Sequence, residues 1–151
     1  MSRVRTGDQA DNFSLKNQNE TLIDTAAMGE SRILLSFHPL AWTDICAKQM
    51  LSLEEHIEEF RKLNTVPLGL SVDTVPSKKA WAKSLGIEKT DLLADFWPHG
   101  AIAARLGLFL DKFGFSERAN IILDGQRKVI FAKVYPIKEL PDIQEILSFL
   151  K

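Results

Sequence analysis

The 151 residues contain one cysteine, Cys46, and its setting favours thiol chemistry. It follows the run His38-Pro39-Leu40-Ala41-Trp42-Thr43-Asp44-Ile45, where a buried strand gives way to a long amphipathic helix. Thr43 suits the N-cap, which makes Cys46 the third helical residue. The unpaired N–H groups of the first turn and the positive end of the helix dipole favour an anion there. In a capping box that third position carries a glutamate whose carboxylate folds back on the helix end. A cysteine takes its place here, so the setting favours thiolate.

Magnitudes set a further requirement. A free thiol, ionising near pH 8.5, is only a few per cent thiolate at neutral pH. Lowering that midpoint by about two pH units takes about 2.7 kcal/mol, whereas a helix terminus alone supplies typically ~0.3–1 kcal/mol. A cation or several added hydrogen bonds must supply the rest. The plain alternative is a cysteine buried as an apolar side chain on the helix's inner face, the commoner fate of a free thiol. Periodicity alone does not separate the two.

The elements that must hold this cysteine are legible. Phe13-Ser14-Leu15 and Thr21-Leu22-Ile23 flank the polar Asn17-Gln18-Asn19-Glu20 and predict a hairpin. Arg32 to Phe37 reads as a strand buried on both faces, stopped at Pro39. Ala47, Met50, Leu53, Ile57, Phe60 and Leu63 form one helical stripe ended near Asn64. Pro67 to Val72 reads as a second buried strand, and Ser77 as the cap of a helix carrying Ala80, Trp81 and Leu85 that Gly86 ends. Leu92-Leu93 is a short strand, and Gly100 to Leu106 a short helix stopped by Gly107. Ala119 to Leu123 and Lys128 to Val134 predict a hairpin around Asp124-Gly125, and a helix opened by Pro141 closes the chain. This order predicts an α/β protein with a mixed central sheet flanked by helices. It resembles a thioredoxin-like fold with an N-terminal β-hairpin addition.

Composition narrows the function classes. Hydrophobic residues make up 45% and charged residues 26%, as in a globular protein able to form its own core. The length predicts a single domain over residues 1–151. Nineteen basic against twenty acidic residues give a net charge of -1, which argues against nucleic acid or an anionic membrane surface as partner. No apolar run approaches a membrane span, and the polar N-terminus lacks a secretory signal, so a cytoplasmic setting is expected. A lone cysteine leaves only an intermolecular disulfide or a free thiol in a reducing compartment.

The run from His38 to Cys46 resembles the peroxiredoxin active-site motif Pro-x-x-x-Thr/Ser-x-x-Cys, with Pro39, Thr43 and Cys46 in register. Gly7-Asp8-Gln9-Ala10 followed by Phe13-Ser14-Leu15 looks like that family's N-terminal signature. Asp95-Phe96-Trp97-Pro98-His99-Gly100 is similar to a segment of the alkyl hydroperoxide reductase E branch of the AhpC/TSA type, a small one-cysteine group. With Arg118 before Ala119-Asn120-Ile121-Ile122-Leu123-Asp124, the resemblance covers essentially the whole chain. It implies that Cys46 is the peroxidatic nucleophile, that Thr43 and backbone N–H groups bind the peroxide, and that Pro39 shields the sulfur from water. It also implies that Arg118 is the cation the energy argument requires, holding the thiolate and polarising the O–O bond. The implied activity is reduction of hydrogen peroxide or organic hydroperoxides through a Cys46 sulfenic acid. With no second cysteine, resolution falls to an external reductant: a low-molecular-weight thiol or a thioredoxin- or glutaredoxin-type protein.

Three departures from the family pattern are expected to have local effects. Asp44 stands where proline often follows the motif threonine; a carboxylate there would oppose ionisation of a nearby thiol, so it is expected to face solvent. Asp11-Asn12 replaces a usual Pro-Asp. His38 resembles a longer one-cysteine branch and either contacts Cys46 or is structural.

Other polar and aromatic residues read more simply. His56 and His99 are expected to be structural, and the histidines lack metal-ligand spacing with Cys46, so neither metal nor cofactor is expected. Trp42, Trp81 and Trp97 read as core or interface anchors, and Arg105 and Arg127 as solvated charges. Phe96, Trp97, Phe113 and Phe115 are expected to form a homodimer patch. Two other readings stand beside it: a peroxide-sensing relay that uses the same thiolate to pass oxidation to a partner, and a non-catalytic thioredoxin-fold binding module with an inert cysteine, against which Pro39, Thr43, Cys46 and Arg118 count.

Overall fold

The N-terminal hairpin forms as its alternation predicts. Strand β1 (Ser14–Lys16) pairs antiparallel with β2 (Leu22–Asp24), with Leu15 opposite Ile23. These strands make a small sheet of their own, in a computed structural model that describes residues 2–151.

The next strand, β3 (Arg32–Phe37), is buried on both faces because its side chains alternate between two layers. Ile33, Leu35 and Phe37 enter one apolar layer and Leu34 the other. Two helices follow where the sequence predicts one: α1 (Asp44–Glu55) and α2 (Ile57–Lys62). The stripe is continuous, but His56 at the joint leaves helical geometry (φ -110°, ψ 17°), and its Nδ1 bonds the Ser52 carbonyl oxygen at 2.8 Å. Strand β4 (Thr65–Ser71) then pairs parallel with β3. At its centre Gly69 lets α1 approach closely, since a Cβ there would overlap the Met50 sulfur.

Helix α3 (Val75–Leu85) starts earlier than predicted. Thr74, not Ser77, caps it, its hydroxyl accepting from the Ser77 N–H, and Pro76 sits in the first turn where proline fits. Gly86 ends it in the left-handed conformation, as expected. Strand β5 (Asp91–Ala94), α4 (Ala101–Arg105) and an unforeseen miniature hairpin of β6 (Phe109–Leu110) and β7 (Phe115–Ser116) lead to β8 (Arg118–Leu123) and β9 (Val129–Tyr135). Helix α5 (Ile143–Leu150), capped by Asp142, closes the chain.

The main sheet runs β5-β4-β3-β8-β9, parallel through the first three strands and antiparallel across β3-β8 and β8-β9. One face packs Met50, Leu53, Phe60, Trp81, Ile146 and Leu147 from the larger helices. The other packs Phe13, Ile102 and Ala103 from the N-terminal segment and α4. This is the predicted mixed sheet flanked by helices.

The β8-β9 turn departs from expectation in its mechanism. Arg127, not Gly125, takes the positive φ (+66°). Gly125 is needed because a Cβ would meet the Glu30 carbonyl oxygen. Nor is Arg127 a solvated charge: it is buried and donates to the carbonyls of Thr25 (2.7 Å) and Gly29 (3.0 Å). Five N–H donors in a planar fork let one arginine satisfy several loop carbonyls at once.

Candidate active site

The segment between β3 and α1 is held at several points. Pro39 is buried and ends pairing. The Ala41 N–H donates to Asp73 Oδ2 at 2.8 Å, and the Ser71 hydroxyl donates to the same oxygen at 2.6 Å. Trp42 adopts φ +68°, unfavourable for a residue with a Cβ, and its indole N–H donates to Ser77 Oγ at 2.9 Å. These bonds offset the local strain and fix the start of α1.

Thr43 is the N-cap residue with extended geometry (φ -111°, ψ 150°), so Cys46 is the third helical residue as predicted. The hydroxyl does not cap. It donates to the Leu40 carbonyl at 2.8 Å, which leaves the first-turn N–H groups free of that side chain. Asp44 faces solvent, 84% exposed, and pairs with Lys48 one turn on.

Cys46 is 1% exposed and packs among the helix-side apolar residues, as the alternative reading of a free thiol expects. What separates the two readings is Arg118. It is the first residue of β8, itself buried, and its Nη1 donates to Cys46 Sγ at 3.3 Å and to Gln49 Oε1 at 2.8 Å. Nε and Nη2 both donate to the Ile137 carbonyl, at 2.9 and 2.7 Å, a two-point grip that fixes the guanidinium plane. A charge-assisted donor on sulfur in a low-dielectric pocket favours the anion more than the same contact in water.

Gln49 carries this order deeper. Its Nε2 donates to Ser36 Oγ (2.8 Å) and the Phe37 carbonyl (3.1 Å), and Ser36 donates to Asn120 Oδ1 (2.8 Å). From Asn120 the chain continues to Tyr135 and Glu145. The sequence reading missed Gln49 and the Ile137 carbonyl. A polar residue three positions after Cys46, on the same helix face, was the available sign of the first; the second is a backbone group in a loop and leaves no sign.

The four residues expected at the site, Pro39, Thr43, Cys46 and Arg118, line one open cleft of about 320 Å³, with Leu40, Phe115 and Ile137 giving it an apolar wall. His38 lies elsewhere. No hydrogen bond joins it to Cys46; its ring packs on Trp81 and its Nε2 faces Lys78 Nζ at 3.4 Å. Burial, reinforced by Lys78, holds His38 well below the ordinary histidine value, so it is neutral. His99 is structural, bonded to the Gly114 carbonyl. Of the tryptophans only Trp81 is core, while Trp42 and Trp97 are 56% and 79% exposed. Among the described residues no cluster of histidine, cysteine and carboxylate groups could hold a metal.

A thioredoxin-like sheet with a cysteine at the start of α1 beneath a fixed guanidinium defines the class of thiol-dependent redox proteins. The sequence pattern of the AhpC/TSA family matches residues 6–132. The chain belongs to that family, whose members are thiol-dependent peroxidases. Alkyl hydroperoxide reductase E of Mycobacterium tuberculosis is 34% identical over 140 residues, covering 92% of this chain and 91% of its own. A peroxiredoxin of Pyrococcus abyssi is 32% identical over 123 residues, 78% of this chain and 56% of its own. The crystal structure of peroxidoxin BcpB from Mycobacterium tuberculosis superposes with a TM-score of 0.85 over 98% of this chain and 97% of its own, at 23% identity, a likeness of fold.

Proposed function

We propose that Cys46 is the peroxidatic nucleophile of a one-cysteine hydroperoxide reductase. The carrying observation is the guanidinium of Arg118 on the Cys46 sulfur, anchored on its far side by the Ile137 carbonyl. The thiolate attacks one peroxide oxygen and the O–O bond breaks. The departing oxygen takes a proton and leaves as alcohol or water, and the sulfur is left as sulfenic acid. Negative charge grows on the departing oxygen, and donors fixed beforehand lower that barrier without reorganising. Arg118 and the first-turn N–H groups are the donors at hand; the Thr43 oxygen, whose proton goes to the Leu40 carbonyl, can accept from the peroxide hydroxyl, while Pro39 keeps water from the sulfur.

The apolar wall of Leu40, Phe115 and Ile137 favours an organic hydroperoxide over hydrogen peroxide, because it offers an alkyl group surface to cover. Resolution is external. A thiol attacks the sulfenic sulfur, water leaves, and a second thiol exchanges the mixed disulfide to restore Cys46. The reductant is a low-molecular-weight thiol or a thioredoxin- or glutaredoxin-type protein of a reducing, cytoplasmic compartment. The exposed Phe96, Trp97 and Phe113 suit a homodimer, which sedimentation of a Trp97→Ser variant would test. The functional test is steady hydroperoxide consumption with excess thiol. The parent should turn over and Cys46→Ser should not; a parent that reacts once and stops would instead favour a relay.

A further inference from the structure

Two strands of the main sheet carry a polar residue inside an apolar run: Ser36 in β3 and Asn120 in β8, opposite each other in register. Both are buried, as are Gln49 and Tyr135. Polar groups enclosed in this way must satisfy one another, and these do so in one continuous series. Nη1 of Arg118 donates to Gln49 Oε1, Gln49 Nε2 to Ser36 Oγ, and the Ser36 hydroxyl to Asn120 Oδ1, each at 2.8 Å. Asn120 Nδ2 donates in turn to the Tyr135 hydroxyl oxygen at 3.4 Å, and that hydroxyl donates to Glu145 Oε1 at 2.7 Å. The second carboxylate oxygen of Glu145, on the partly exposed side of α5, accepts from Lys133 Nζ at 2.7 Å.

All five bonds point the same way, and both ends of the series demand that sense. A guanidinium can only donate, and a carboxylate can only accept. Burial, and then the bond to Glu145, hold Tyr135 above the ordinary tyrosine value, so its hydroxyl keeps the proton it donates. With that proton committed, the Tyr135 oxygen accepts from the Asn120 amide, which turns the Asn120 carbonyl towards Ser36. The Ser36 proton is then committed too. Its oxygen takes the N–H of Gln49 and leaves the Gln49 carbonyl for Arg118. Hydrogen bonds aligned head to tail in a low-dielectric interior polarise one another. The Nη1 that Gln49 receives is the same nitrogen that lies on the Cys46 sulfur.

We propose that Tyr135 and Glu145 are positioning residues of the peroxidatic centre. From β9 and α5 they set the direction of the series that holds the Gln49 carbonyl on Arg118, and so keep the guanidinium on Cys46. The proposal rests on the reading of Cys46 as a thiolate nucleophile. It makes α5 part of the site's support, at the opposite end of the series from the sulfur.

The test follows Cys46 alkylation by iodoacetamide from pH 6 to pH 9 in the parent, Tyr135→Phe, Ser36→Ala and the double variant. Tyr135→Phe keeps the ring and removes the hydroxyl. At pH 6 it should react about twofold to fourfold more slowly than the parent, because less of the sulfur is thiolate. At pH 9 the two should react alike. An unchanged rate at pH 6, or a slowing that is the same at every pH, would overturn the proposal, since altered packing acts throughout. Ser36→Ala should show a slowing of its own, and adding Tyr135→Phe to it should change nothing further, the series being already cut. Two factors that multiply in full would overturn the proposal. Glu145→Met tests the outer end without entering the core. Loss of a carboxylate would by charge alone favour the thiolate and speed alkylation at pH 6. Loss of the terminal acceptor should slow it instead, and an unchanged or faster rate would overturn the proposal. No peroxide enters these rates, so a failure of the peroxidase reading, seen in hydroperoxide consumption, is distinct from a failure of this one.

Discussion

Arg118 and Cys46 are 72 residues apart in the chain, and Nη1 of one lies 3.3 Å from Sγ of the other. The antiparallel pairing of β3 with β8 makes this possible, setting Phe37 opposite Ala119 so that Arg118 emerges beside the segment that leads into α1. The guanidinium serves the sulfur and the Ile137 carbonyl at once, so its position and its charge can be tested separately.

Arg118→Ala should slow peroxide oxidation of Cys46 by about 10²–10³-fold, the effect of removing one preorganised donor. Arg118→Lys retains the charge but cannot reproduce the planar double contact with Ile137 while also reaching sulfur and Gln49, so it should fall between the two. Stopped-flow oxidation rates of the three proteins at one pH check the order.

Gln49→Met should lose stability and activity together. It leaves Ser36 and the Phe37 carbonyl without their donor and frees Nη1 of Arg118 from its second acceptor. Each buried polar group left unpaired costs about 1–3 kcal/mol. Urea unfolding should show a lower midpoint, and the oxidation rate should fall with it.

Lys78 should give stability an alkaline dependence. Burial lowers it from 10.5 to about 7 in the folded chain, so between those values the unfolded chain binds a proton that the folded chain does not. Stability therefore rises with pH across that window, by at most about 1.4 kcal/mol per pH unit, and the full cost is present below pH 7. Lys78→Met removes this slope. Its gain over the parent in urea unfolding should be large at pH 6.5 and shrink towards pH 10.

Glu54 should govern an acidic limb. Burial works to raise its carboxyl, but the N–H of Glu88, the Thr90 hydroxyl and the N–H groups of Lys89 and Thr90 outweigh that and hold it below the ordinary value. A depressed carboxyl contributes stability that is present above its unfolded value and lost as pH falls through the folded one. Glu54→Gln should unfold more easily than the parent at pH 7 and converge with it in acid, as followed by circular dichroism.

The elements around the site were largely legible because they are local. Buried strands announce themselves by unbroken apolar runs, and the N-cap register placed Cys46 at the third position of α1. What was not legible depends on distant partners. The break at His56 lies in an unbroken apolar stripe, which gives no sign of it. Arg127 looks like a turn residue until the loop carbonyls it gathers, such as Thr25 and Gly29, are seen about a hundred residues away. Lys78 was legible in principle, since a lysine in step with Trp81 and Leu85 breaks an apolar stripe, but only the fold shows that it is enclosed.

The most direct measurement of the central claim is rapid mixing of reduced protein with one equivalent of an organic hydroperoxide, followed by quenching and mass analysis of the Cys46 peptide. The parent should gain one oxygen atom at Cys46 at least ~10²-fold faster than free cysteine does, and Arg118→Ala should lose most of that advantage. A parent no faster than free cysteine, or an Arg118→Ala variant as fast as the parent, would contradict the account.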